Sequence, residues 1–276
     1  MRQGYESDRY IETYLGDGVL RFQDTSLLSC SLNEDYCDLR SVYPFSEADI
    51  DEYDLRGFIS AMVISNPLKP FRAPIDSITA VYKQHSVVDL QKYDPDKLPE
   101  NCRRILKKSK LEIHNLNPTQ HTDRVAEVYK NLIQRHQIQH TTDYTRRQFD
   151  NLLIAEGAVL LGNWHQNEYI GFNLYYISGE DVYYHLSAQT EASYALKSNH
   201  QMMNESILMF KSMGFGRLLL GSVPDGGSEG LKRFKTAYSH YERQNFISKK
   251  LINPSIYAKL SEGMEGNFFP LYRSSQ

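Results

Sequence analysis

The run from residue 121 to residue 188 restricts the fold of this chain most. In HTDRVAEVYKNLIQRH (121–136), Val125, Val128, Tyr129, Leu132, Ile133 and His136 recur at i, i+3, i+4, i+7, i+8 and i+11. That spacing puts one apolar stripe on an α-helix. TRRQFDNLLIAEG (145–157) predicts a second helix ending at Gly157, a residue suited to terminate helices. AVLLGNWH (158–165), YIGFNLYYIS (169–178) and DVYYHLSA (181–188) then read as strands. Their connections, HQNE and GED, have room for a hairpin but not for a crossover, so the three strands are antiparallel neighbours. SNHQMMNESILMFKSMG (198–214) follows as a helix, with Ser198 or Asn199 as its cap and Gly214 as its stop. RLLLGSV (217–223) is a short strand, SEGLKRFKTAY (228–238) a short helix, FISKKLI (246–252) a strand and PSIYAKLSEGM (254–264) a helix opening on Pro254. The order of elements predicts an α+β domain.

The first 116 residues are less regular. VLRF (19–22), LLSCSL (27–32) and FISAMVIS (58–65) read as short strands, set apart by acidic turn-prone stretches such as SEADIDEYD (46–54). SITAVYKQHSVVDL (77–90) predicts a long strand or hairpin, LPENCRRILKKSK (98–110) a basic helix and LEIHNL (111–116) another strand.

Composition excludes several classes. A net charge of −3 over 276 residues is not that of a protein that coats nucleic acid through bulk charge. Cys30, Cys37 and Cys102 match no zinc spacing, and an odd number argues against a disulfide framework. The opening MRQGYESDRY has no signal-peptide core and no stretch approaches 18 apolar residues, so a cytoplasmic protein without a membrane span is expected. There is no G-x-S-x-G nucleophile elbow, and no metal is expected.

Four segments in order carry a family resemblance: HSVVDLQKYDPDKLPENCRRILKKSKLEIHNL, VYKNLIQRHQI with FDNLL, VYYHLSA with YALKSNHQMMNESILMFKSMGF, and GSEGLKRFKTAYS. Over residues 77–240 the chain resembles the FemABX-like branch of the GNAT (acyl-CoA N-acyltransferase) superfamily. The likeness is looser over 1–76, where SVYPFS (41–46) is similar to an early aromatic-Pro segment of some members. The resemblance implies two GNAT-like halves with mixed, largely antiparallel sheets. Residues 1–116 would form a degenerate half on the acceptor side, and 117–276 the acyltransferase half with a C-terminal extension. It implies transfer of an acyl group, foremost acetyl from acetyl-CoA, to an amine of a sugar, sugar nucleotide, amino acid or peptidoglycan precursor. The alternatives are an aminoacyl-tRNA-dependent peptidoglycan transferase and a GNAT scaffold that binds a ligand without catalysis. One departure bears on the donor: where GNAT enzymes carry a glycine-rich pyrophosphate loop, this chain has YALKSNHQ, with no glycine.

The resemblance also implies site residues. Lys235, and with it Lys232, would contact donor phosphates, and backbone amides near Ser198 and Asn199 would cradle the pyrophosphate. Periodicity alone reads Lys232 and Lys235 as the solvated face of a helix whose other side carries Leu231, Phe234 and Tyr238. Tyr238 is the candidate acid for the leaving thiolate. In the strand DVYYHLSA the donor's arm would lie beside Tyr184, His185 and Ser187. Alternation puts Tyr183 and His185 on one face and Tyr184 on the other, and His185 is the candidate base. The basic run Arg103, Arg104, Lys107, Lys108 and Lys110 reads either as a solvated face or, with Tyr184, as the acceptor side. His200, opening a helix, reads as a structural residue.

Overall fold

The computed structural model describes residues 2–41, 49–108, 111–136, 144–223 and 228–274. Most of SVYPFS, Lys110 and Gly227 lie outside the described residues. The strands are β1 (Val19–Arg21), β2 (Leu27–Ser31), β3 (Cys37–Ser41), β4 (Phe58–Ile64), β5 (Ser77–Asp89), β6 (Glu112–Asn115), β7 (Ala158–His165), β8 (Glu168–Ser178), β9 (Asp181–Gln189), β10 (Arg217–Ser222) and β11 (Tyr241–Leu251). The helices are α1 (Asp8–Glu12), α2 (Glu100–Lys108), α3 (Pro118–His136), α4 (Arg146–Ile154), α5 (Glu191–Leu196), α6 (Ser198–Ser212), α7 (Glu229–Tyr238) and α8 (Pro254–Leu260). No described helix is long and apolar enough to cross a membrane.

The chain forms two compact units, one of residues 1–13 and 84–243, the other of 14–83 and 244–276. This division differs from the halves meeting at residue 116. In the second unit the strand order is β1-β2-β3-β4-β11, paired antiparallel, antiparallel, parallel, antiparallel. In the first unit β7-β8-β9-β10-β5 repeats that sequence of pairings, with β6 added beyond β7. The repeat of one mixed-sheet pattern gives the α+β architecture of two GNAT-like halves its physical content.

The first unit buries side chains on both faces of its sheet. Residues Ile170 to Tyr176 of β8 are all buried, so β8 reads as a continuous apolar run rather than an alternating one. On one face α6 and α7 set Met202, Met203, Ile207, Phe210 and Tyr238 against Leu161, Tyr175, Val182 and Leu218. On the other, α3 and α4 pack against β7, β8 and β9. Helix α4 begins in a capping box, with Thr145 Oγ1 accepting from Gln148 N–H and the Gln148 side chain accepting from Thr145 N–H. Gly157 follows it at φ +85°, and a Cβ there would stand 2.5 Å from Ile177 O. Gly157→Ala is therefore expected to destabilise by about 2 kcal/mol or more, since backbone on both sides must shift; urea unfolding measures it.

The second unit has a smaller core of Leu27, Leu39, Ile50, Ala61 and Val63. Buried Asp38 on β3 accepts from Ser60 Oγ at 2.9 Å, from Arg273 Nε at 2.6 Å and from the Tyr272 hydroxyl. Those bonds tie the C-terminal turn to that sheet.

Candidate functional site

The site grows from a divergence of two parallel strands in the first unit. β9 and β10 pair only where Arg217, Leu218 and Leu219 face Asp181, Val182 and Tyr183. Beyond that point β10 bulges against β5 between Leu219 and Gly221, with Gly221 at φ +80°, and β9 shifts register against β8 next to Tyr184. Both strands continue, to Ser222 and Gln189, without pairing to each other. The closed end is held by a bidentate ion pair: Arg217 Nε to Asp181 Oδ1 at 2.7 Å and Arg217 Nη2 to Asp181 Oδ2 at 2.9 Å.

Helix α7 brings a cation, Lys235, to the opened end of β10. Ser228 caps the helix, Phe234 and Tyr238 turn into the core, and Lys235 turns inward with them. Lys235 is only 8% exposed, whereas Lys232, three residues earlier, is exposed. Lys235 Nζ donates to Ser222 O at 2.6 Å, and burial pulls its pKa down to about 8. The two lysines expected on one solvated face are thus separated by their environments.

Tyr238 is enclosed, and burial pushes its phenol far above the ordinary value. Its hydroxyl donates to His200 O at 3.1 Å and lies 3.0 Å from His200 Nδ1. A phenol has one hydrogen, so both contacts are hydrogen bonds only when Nδ1 carries the imidazole hydrogen. Phe234 meets the His200 ring edge-on at 5.1 Å. Burial, and then the charge of Lys197, lower the pKa of His200. A cleft of about 740 Å³ opens here, lined by Asn101 and Cys102 of α2, His200 of α6, and Lys232, Arg233 and Thr236 of α7.

Helix α6 begins at Lys197, which takes the left-handed conformation at φ 54° and offers no side-chain cap. Asn199 is half-buried, while Ser198 is fully buried, its hydroxyl bonded to Ser193 Oγ and Gln189 Oε1. The Ser198 side chain therefore fixes the turn, and only backbone near it can face a ligand.

β9 distributes the remaining candidates as alternation predicts. Tyr184 lies on the α6 side, its ring 5.3 Å from Tyr175 and its hydroxyl 3.4 Å from Asn173 Oδ1. Ser187 pairs with Asn173 across the strands. His185 turns to the opposite face, among the rings of Tyr5, Tyr10 and Tyr176. Tyr5 Oη lies 3.3 Å from its Nδ1, its Nε2 is buried without a hydrogen-bond partner, and burial pulls its pKa down to about 3. The structure thus brings Tyr238 into one group with His200 and leaves His185 outside it. Arg103, Arg104 and Lys107 are exposed on α2 and do not line the cleft.

Sequence reasoning set His200 aside and did not single out Arg233, Ser222 or the Arg217–Asp181 pair. The His200–Tyr238 contact joins residues 38 apart in sequence, and no spacing rule reaches that far.

No family model matches the chain, and no curated protein matches it. Among solved structures it is similar to FemX, with 13% identity, TM-score 0.66, and 91% of this chain and 93% of that one covered. It is similar also to the C-terminal domain (DUF2156) of a putative lysylphosphatidylglycerol synthetase from Agrobacterium fabrum, at 9% identity, TM-score 0.62, and 90% and 88% coverage. A third likeness is L-PGS from Bacillus licheniformis, at 11% identity, TM-score 0.57, and 81% and 80% coverage. These identities speak for the fold alone, a Fem/GNAT-like one.

Proposed function

We propose that this protein is an N-acyltransferase that moves an acyl group, foremost acetyl from acetyl-CoA, to an amine of a sugar or amino-acid acceptor of the cell envelope. The observation that carries this reading is the parting of β9 from β10 beyond Leu219 and Tyr183, with the Lys235 ammonium at the opened end of β10. Parted strands leave backbone groups for an extended donor arm to meet, and Tyr184 and Ser187 follow along β9. The donor's phosphates go to the cleft that Lys232 and Arg233 line with His200 of the first turn of α6, and backbone amides near Ser198 and Asn199, in that same turn, are proposed to assist.

Lys235 suits the donor's carbonyl better than its phosphates. A single buried ammonium, using one of its three N–H groups on Ser222 O, is arranged to stabilise one developing oxyanion. The acceptor amine attacks that carbon, the C–N bond forms, and the bond to the leaving thiolate breaks. Tyr238, kept protonated by burial, bonds His200 beside the phosphate cleft and so holds that imidazole in place, and the leaving thiolate takes its proton from solvent water. The neutral amine sheds one N–H proton to solvent water as the C–N bond forms, so no base on the His185 face is invoked. Residues 117–276 are proposed as the acyl-transfer half and 1–116 as the acceptor half, with Arg103, Arg104 and Lys107 drawing a charged acceptor.

A second reading is favoured by the glycine-free YALKSNHQ: an aminoacyl-tRNA donor, whose ester carbonyl Lys235 would serve equally. Calorimetric titration with CoA separates the two. Binding that weakens about 10-fold or more in Lys232→Ala/Arg233→Ala supports the CoA reading. Binding of aminoacyl-tRNA with none of CoA overturns it.

A further inference from the structure

We infer that His200 is a proton-coupled ligand for the donor's phosphate, its free Nε2 gaining a proton as the anion enters the cleft between α2, α6 and α7. The inference rests on the acyl-donor reading above and deepens it. Tyr238 is what fixes the chemistry. Because its hydroxyl donates to His200 O and receives from Nδ1–H, the neutral ring presents a lone pair at Nε2. Nε2 has no protein partner among the described residues, and His200 lines the cleft.

Burial, and then the charge of Lys197, favour the neutral ring. His200 lies in the first turn of α6, at the positive end of the helix dipole. Lys197 precedes it, and Lys232 and Arg233 line the same cleft from α7. Among the described residues Glu229 of α7 is the one carboxylate on the cleft and acts in the opposite sense, while Cys102 of α2, Phe234 and Tyr238 add enclosure without charge. A phosphate reverses the balance. A lone pair aimed at an anion repels it, whereas Nε2–H⁺ donates a charge-assisted hydrogen bond. Binding therefore draws one proton from solvent to Nε2, and no other bond is made or broken. Any phosphate ester presents this chemistry, whether on CoA or at the 3′ end of a tRNA.

The test is calorimetric titration of the whole chain with CoA and, separately, with a CCA trinucleotide, in buffers of different ionisation enthalpy from pH 6 to 8.5. The probe that binds identifies the source. The wild-type protein is expected to take up up to one proton more than His200→Gln, and to lose up to about tenfold more affinity per pH unit above the free histidine's pKa. Equal proton uptake and equal pH dependence in the two proteins overturn the inference while leaving the donor reading intact. No binding of either probe at any pH overturns both. Nitrogen-15 spectra of the wild-type protein give a check that needs no variant: hydrogen on Nδ1 is expected in the free state, and hydrogen on Nε2 sinks the proposal. Tyr238→Phe should release the tautomer and weaken the coupling.

Discussion

Lys235→Met is expected to lower kcat for acyl transfer by about 10²- to 10³-fold, the loss typical of removing one donor to a developing oxyanion. Methionine keeps the length of the side chain and gives up the charge. The fold should hardly notice. Burying an ammonium costs desolvation, so replacing it with an apolar chain of similar volume is expected to change stability by about 1 kcal/mol or less, even though Ser222 O loses its partner. Activity and melting temperature should therefore part company, and a variant that loses both in proportion would speak against a role in catalysis. The pH dependence gives an independent reading. The folded-state pKa of Lys235 lies near 8, below the unfolded value. Between about 8 and the unfolded lysine value near 10.4 the unfolded chain therefore holds the extra proton, and stability rises with pH. Lys235→Met should remove that contribution, as urea midpoints at pH 7.5 and 10 will report.

The largest expected effect on stability is at the closed end of the diverging strands. Arg217→Met leaves the Asp181 carboxylate, fully buried on β9, without its bidentate guanidinium. Breaking a buried pair from one side costs about 3–5 kcal/mol, and the lower figure applies because Arg217 is partly exposed. Replacing both residues by apolar ones, Asp181→Leu with Arg217→Met, should restore much of the loss. A double-mutant cycle in urea measures the coupling, and a double variant as unstable as the single one would show that the pair is not the cause. Because the pair fastens β9 to β10 immediately before they part, the single variant should also weaken donor binding.

The second half of the chain was legible because its elements are long and self-announcing. The stripe from Val125 to Ile133 falls inside α3, and the three hairpin-linked runs are β7, β8 and β9, shifted by a residue or two at their ends. In the first hundred residues β1, β2 and β4 stand where VLRF, LLSCSL and FISAMVIS were read, and SITAVYKQHSVVDL is one strand, not a hairpin. Three short elements escaped. β3, CDLRS, buries Asp38 on a network whose partners lie at Ser60, Tyr272 and Arg273, so its sequence looks too polar for a core strand. α1 and α5 have five and six residues, too few to show a period. At the site, alternation correctly divided Tyr184 from His185, but it could not say which face carries the cleft. Helical spacing grouped Lys232 with Lys235, yet only the fold shows one in solvent and the other over the end of β10. Environment separates them, and environment is set by residues far away in sequence.

The second unit draws its strands from the two ends of the chain, and this sets an order on its birth. Ile64 of β4 waits for Ile247 of β11, and nearly all of the first unit is synthesised in between. Closing so long an interval adds little entropy, since the cost grows only with the logarithm of its length. What it imposes is delay: at ordinary synthesis rates β4 stays without its outer partner for some tens of seconds. During that time an apolar edge, with Ile59, Ala61 and Val63 along it, is open to pairing with another nascent chain. A protein stopped before residue 244 would hold that edge open permanently. Truncation from the C-terminus should thus show itself first as aggregation, well before the first unit has lost a single residue.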